Sequence, residues 1–287
     1  MKEENKDQQE HQKDLEEISN NLEQSKGYTE ILSRVIHEGE AIFKIKKKAI
    51  FFSASIAGLE IGFSYVMICA LFFLLQGSVD DIVIFRMFGL VYPLGFILVV
   101  LGKSALFTEQ TSVLALPVLN GQRSIWEMLQ IWGIVILGNV VGGIVFVLSI
   151  NTLASELGIF NPEVMIAIGS HVLGHDYWLI LLSAILAGWL MGLLTWLMNS
   201  TTEILTRIVI ITMITGTIGF LGFHHSIVGS IEVFGAFLHS SDIALTDYLL
   251  FLLIALIGNG IGGAIVVGLF KYRVFEYNYS AEPEVDR

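Results

Sequence analysis

The chain has 287 residues, a formal net charge of −11, and 54% hydrophobic against 15% charged side chains; its mean hydropathy is +0.71. That balance excludes a soluble globule and puts most of the chain in lipid. Residues 1–48 alone hold 9 basic and 11 acidic side chains, leaving 7 and 16 for the rest, so no basic face exists to meet nucleic acid.

Residues 1–27 are rich in Gln, Glu and Lys and cannot bury enough apolar surface to offset their ordering entropy, so they are expected to be a disordered tail. They are too polar and too long for a signal peptide. From Tyr28 the spacing changes: Tyr28, Ile31, Leu32, Val35 and Ile36 recur at helical intervals, with Arg34, Glu38 and Glu40 on the other side. Residues 28–48 thus predict an amphipathic helix on the cytoplasmic membrane face, ended by the basic flank Lys44, Lys46, Lys47 and Lys48.

Six apolar stretches follow, near 49–75, 83–117, 125–150, 178–198, 207–239 and 248–270, each long enough to span a hydrocarbon core of ~30 Å. Cys69 lies in the first, reads as a buried inert thiol, and as the single cysteine excludes an intrachain disulfide. The second is interrupted around Gly102-Lys103-Ser104 and ends at Pro117. The fifth is interrupted around Gly219, Gly222 and His224-His225. With the amino terminus inside, Lys44, Lys46, Lys47, Lys48, Arg123, Arg207, Lys271 and Arg273 fall on the inner side and Arg86 on the outer. The positive-inside rule therefore predicts two cytoplasmic termini.

The third stretch contains Gly138-Asn139-Val140-Val141-Gly142-Gly143 and the sixth Gly258-Asn259-Gly260-Ile261-Gly262-Gly263. Thr108 stands 30 residues before the first string and Ser226 stands 32 before the second, so a broken span precedes each. Three crossings per half make the halves enter from opposite sides, as in inverted-repeat transporters whose solute path lies between broken helices. The glycines also have a purely structural use, since small residues four apart let membrane helices approach closely. The expected organisation is therefore a tail (1–27), a cytoplasmic helix (28–48), a first repeat (49–150), an outer loop (151–177), a second repeat (178–270) and a cytoplasmic tail (271–287).

At Leu106-Phe107-Thr108, the twin G-N-x-x-G-G strings and His225-Ser226-Ile227, the chain resembles the formate/nitrite transporter family over roughly residues 28–275. Lys103 with L-F-T-E and H-x-x-V-G-S-x-E is similar to its YfdC-like branch. The resemblance implies an all-α membrane fold: six transmembrane helices in an aquaporin-like inverted 3+3 repeat with broken second and fifth helices. It further implies a homopentamer in a bacterial-type inner membrane that passes a small monovalent anion or its conjugate weak acid, with no cofactor and no enzymatic activity. His225 would be the central pore histidine and Thr108 its hydroxyl partner, beside Leu106 and Phe107. Tyr92 and Phe96 would form an apolar constriction on one side, and Ile218 the other.

A histidine titrates near neutral pH and can lend a proton to a weak-acid anion in a narrow pore; His225 is the candidate for that role, with His224 a packing neighbour. Lys103 and Glu60 lie within spans and each needs a partner: Lys103 either draws anions into the pore or neutralises one of Glu60, Glu109 and Glu232, three acids that compete for the one base. Glu109 also suits the start of the half-helix after the break. Three intramembrane glutamates leave an alternative open, a pore for a small cation or neutral solute. His171 and His175 have ligand-like spacing beside Asp176, but no third ligand is evident, and they are read as solvated surface.

Overall fold

The computed structural model describes residues 27–279. Twelve α-helices and one π segment account for nearly all of them, with no strand among the described residues. The helices are α1 (27–43), α2 (Lys47–Leu75), α3 (Asp81–Val91), α4 (Pro93–Gly102), α5 (Phe107–Leu119) and α6 (Ile125–Glu156). Then follow α7 (Pro162–Leu173), α8 (Tyr177–Ser200), α9 (Ile204–Leu221), α10 (Ser226–Phe237), α11 (Leu245–Gly260), the π segment Ile261–Leu269 and α12 (Phe270–Tyr279). The expected disorder of 1–27 falls outside the described residues except at Gly27, which begins α1; of the expected tail, 271–279 is helix and 280–287 is not described.

Among the described residues, six helical stretches are long and apolar enough to cross a bilayer: Lys47–Leu75, Asp81–Gly102, Ile125–Glu156, Tyr177–Ser200, Ile204–Leu221 and Leu245–Tyr277. Their ends follow ordinary capping chemistry. Asp80 accepts from the Ile82 amide, Ser124 and Glu127 form a reciprocal capping box, and Glu203 accepts from the Leu205 and Thr206 amides. Large apolar side chains such as Phe52, Leu74, Leu90 and Trp178 are exposed around the periphery, as a lipid-facing surface requires.

Within the molecule the seams are made of small residues. On α2, Ala54, Ala57 and Gly58 pack on Gly138, Asn139 and Gly142 of α6. On α8, Ala184, Ala187 and Gly188 pack in the same way on Gly258, Asn259 and Gly262. A Cβ at Gly58 would collide with the Asn139 carbonyl, and one at Gly188 with the Asn259 carbonyl, so both seams depend on close backbone approach. The two repeats differ after these seams: α6 continues as α-helix, whereas the corresponding turn after Gly260 is π-helical.

Three expectations change. The amphipathic α1 does not lay its apolar stripe on the lipid surface. Leu32 and Val35 are buried against Val113, Leu116 and Trp196 of α5 and α8, because that protein surface is itself apolar and closer at hand. The segment 151–177 is not a loop: α6 runs to Glu156, and α7, started by the Asn161 cap and Pro162, packs on α10. Pro117 does not end the second stretch; it lies inside α5, which continues to Leu119.

Candidate functional site

The two interruptions are built alike. α4 ends on Lys103 in the left-handed region (φ 58°), and α9 ends on Gly222 in the same conformation (φ 72°). At the first, the Ser104 amide returns to the Val99 carbonyl (3.0 Å); at the second, the Phe223 amide returns to Ile218 (3.0 Å). The chain then runs extended for a few residues before α5 and α10 begin.

Each extended piece is pinned by the asparagine of one G-N-x-x-G-G string. Asn139 Oδ1 accepts from the Phe107 amide (2.9 Å), while its Nδ2 donates to the Ala54 (2.9 Å) and Ala105 (2.8 Å) carbonyls. Asn259 Oδ1 accepts from the Ser226 amide (2.7 Å), and its Nδ2 donates to the Ala184 (2.8 Å) and His224 (3.1 Å) carbonyls. A serine completes each set: Ser53 Oγ accepts from the Ala105 amide (3.1 Å) and Ser183 Oγ from the His224 amide (3.0 Å). Backbone freed by a break inside a membrane has no water to turn to, and these side chains replace it. Sequence reasoning credited the strings to their glycines and missed the asparagines. It also missed a second repeat that signals the serines, Ser53-Ala54-Ser55-Ile56-Ala57-Gly58 against Ser183-Ala184-Ile185-Leu186-Ala187-Gly188.

The breaks bring Thr108 and His225 together in the protein centre. Thr108 Oγ1 lies 2.9 Å from His225 Nε2, and both side chains are buried. The other ring nitrogen is not turned to the path, contrary to expectation. Nδ1 caps α10 by accepting from the Val228 amide at 3.3 Å. An acceptor at Nδ1 puts the hydrogen of the neutral ring on Nε2, which therefore donates to Thr108. Leu106 and Phe107 are buried beside this pair, and the Phe96 ring meets the imidazole edge-on at 5.1 Å.

Cavities lie on either side. The distal one, about 330 Å³ on the α7 side, reaches from Arg86, His171 and His175 at the mouth past Tyr92, Ile218 and His224 to His225 and Glu232. The proximal one, about 700 Å³ on the α1 side, is lined by Arg34, His37 and Glu38 of α1 and by Lys103, Glu109 and Arg207. They share no lining residue, and the buried Phe96, Leu106, Phe107 and Thr108 line neither; we take these four, which gather at the Thr108–His225 pair, as the septum between them.

Several sequence-assigned residues take places other than those expected. Tyr92 and Ile218 line the same distal cavity rather than opposite sides, because α3 packs against α9 there. Glu60 lines neither cavity. Its carboxylate approaches Gly102 at the end of α4, and one of its oxygens is buried without a hydrogen-bond partner. Lys103 is exposed to the proximal cavity, which it lines together with Glu38 and Glu109, and forms no ion pair among the described residues. His224 is a tether, Nδ1 to Ser183 Oγ (2.9 Å) and Nε2 to the Val172 carbonyl (3.1 Å). His171 and His175 are exposed but form the distal mouth, His171 stacking on Phe85 at 3.6 Å. Partial burial of the ring face stacked on Phe85, aided by His175 and Arg86, holds the His171 imidazole below its ordinary range. Among the described residues, no group of three His, Cys, Asp or Glu is placed to hold a metal.

Two inverted three-helix repeats, whose broken helices meet at a buried polar pair between facing cavities, define a membrane transport protein. Comparison with known proteins agrees. The family model "Formate/nitrite transporter" matches residues 29–273. The inner membrane protein YfdC of Escherichia coli (strain K12) is 30% identical over 252 residues, covering 84% of this chain and 77% of YfdC. Among solved structures, an FNT family ion channel superposes with a TM-score of 0.75 at 23% identity, covering 86% of this chain and 99% of that one. A pentameric formate channel with formate bound gives 0.65 at 21% identity, with 80% and 97% covered. The chain belongs to the formate/nitrite transporter family, whose members are transporters and channels rather than enzymes.

Proposed function

We propose that this protein is a channel or carrier for small monovalent anions, or for their conjugate weak acids, with His225 and Thr108 at the centre of the path. The observation that carries this reading is the convergence of both half-helix breaks on one buried Thr108–His225 hydrogen bond between two cavities. The N-termini of α5 and α10 meet there, and helix N-termini favour anions. Arg86 at the distal mouth and Lys103 in the proximal cavity add positive charge along the same line. With both ring nitrogens engaged, His225 acts as a neutral anchor that presents Thr108; the Thr108 O–H, which has no acceptor among the described residues, donates to the passing solute.

Family membership and the pentameric formate channel support a homopentamer of six-span protomers. The name of YfdC and the excess of inner-side Lys and Arg support an inner membrane protein with α1 and α12 in the cytoplasm. The proximal cavity is then the cytoplasmic one. The domain plan keeps two repeats, 49–150 and 178–270, joined by α7.

A cation or neutral-solute pore is the second reading, favoured by Glu109 and Glu232 in the two cavities and weakened by Glu60 lying off the path. Stopped-flow uptake into proteoliposomes with formate, nitrite, lactate, hydrosulfide and ammonium separates the two. Saturating ammonium flux with no anion flux would reverse the assignment.

A further inference from the structure

We propose that Glu232 is the proton-exchange group of the distal cavity, handing its carboxyl hydrogen to a weak-acid anion before that solute enters the septum. This rests on the anion-path reading above and deepens it. Glu232 is 8% exposed, faces the distal cavity, and has no hydrogen bond or ion pair among the described residues.

The groups around it explain why. Tyr65 and Cys69 of α2 and Tyr92 at the α3–α4 junction lie within range of its charge. His171 on α7 and His175, His224 and His225 on the connecting segments share its cavity, with Arg86 of α3 at the mouth. On α11, Tyr248 is spent on Ser230 (3.0 Å). No fixed cation is bonded to Glu232, so its charge is set by the proton it carries and by the solute beside it. The competing proton source, His225, has one nitrogen on Thr108 and the other on the Val228 amide.

Glu109 stands in the corresponding place on the other side. It lines the proximal cavity with Arg34, His37, Lys103 and Arg207, feels the charge of Glu38, and its carboxyl likewise has no hydrogen bond among the described residues. Two unpaired carboxyls thus flank an apolar septum. In the inward direction the Glu232 O–H bond breaks and its proton passes to an oxygen of the anion, leaving a carboxylate and a neutral acid. The neutral acid crosses past Phe96 and Thr108, then gives its proton to the Glu109 carboxylate and departs as the anion. Water on the distal side re-protonates Glu232, and Glu109 releases its proton to proximal water. One proton accompanies each anion, no net charge crosses, and anions of strong acids are refused because they accept no proton.

The test uses full-length protein in proteoliposomes with an internal pH dye and a potassium-set membrane potential. Wild type should acidify the lumen with formate uptake, be indifferent to the potential, and exclude chloride and nitrate. E232Q should lower formate-coupled acidification roughly tenfold or more and flatten its dependence on distal pH. E232D, which keeps the carboxyl on a shorter stem, should retain proton coupling at reduced rate, and decides the matter if E232Q does not assemble. The proposal is overturned if formate moves as a potential-driven current without acidification, or if E232Q, or failing it E232D, matches wild type in rate and pH profile. A wild type inert to every anion offered would instead remove the underlying anion reading, and this proposal with it.

Discussion

Replacing Asn139 or Asn259 by leucine removes hydrogen bonding while keeping the branched outline of the side chain, and should cost the fold more than any surface change. Asn139→Leu orphans the Phe107 amide and the Ala105 carbonyl; the Ala54 carbonyl sits inside α2 and keeps its helical partner. Asn259→Leu orphans the Ser226 amide and the His224 carbonyl, both in buried residues. A buried unsatisfied group costs about 1–3 kcal/mol, and polar contacts in membrane proteins run nearer 0.6 kcal/mol each, so roughly 2–4 kcal/mol is expected per substitution. Ala105 lines the proximal cavity and His224 the distal one, so water can reach the neighbourhood of either freed carbonyl. The two substitutions should therefore cost about the same. Unfolding in detergent, followed by tryptophan fluorescence against denaturant or temperature, measures both. If each variant stays within about 0.5 kcal/mol of wild type, the asparagines are not what holds the breaks, and the account of the site fails at its base.

Gly58→Ala and Gly188→Ala each drive a methyl into the backbone of an asparagine on the partner helix, and should cost about 1–3 kcal/mol in the same assay. Gly133→Ala, inside α6 with nothing for the methyl to meet, is the control and should be neutral or slightly stabilising. Lys103→Gly should stabilise by about 1 kcal/mol by relieving a left-handed lysine, and should slow anion entry from the α1 side; a loss of stability would revive a hidden ion pair. His225→Asn keeps a good N-cap for α10 but loses the Thr108 anchor, so flux should fall while its pH dependence persists; flattening of the pH profile would return the proton-relay role to the imidazole. Arg123, hydrogen-bonded at 2.8 Å, holds the Glu40 carboxyl below the ordinary carboxylate range. A group with a depressed folded-state value stabilises above its unfolded value and loses that contribution as pH falls through the folded one, so α1 should loosen in acid. Hydrogen exchange in α1 at neutral and acid pH reads this directly, and Glu40→Gln should remove the difference.

Much of this architecture was legible in the sequence because a bilayer leaves few options. Twenty-residue apolar runs must be helices, Lys and Arg outside them favour one side, and a string written twice at matching places implies two halves. The breaks at Gly102-Lys103-Ser104 and at Gly222 through His225 were visible for the same reason, since polar or flexible residues at that depth interrupt an otherwise uniform pattern. What no local pattern could show is pairing across distance. That Asn139 reaches Phe107, that Thr108 meets His225 over 117 positions, and that Val228 occupies the second ring nitrogen are consequences of how α5 and α10 are packed. Lys103 and Glu60 illustrate the same limit. Both are charged residues in apolar surroundings and both were expected to seek partners, yet one lines the proximal cavity without an ion pair among the described residues and helix packing leaves the other off the path. His171 and His175 looked like surface and line a cavity mouth, because α7 folds back onto α10 instead of looping through water. Hydropathy determines which segments enter the membrane; which faces meet there depends on the backbone approach that the twin small-residue seams permit, and that is a property of the assembled helices alone.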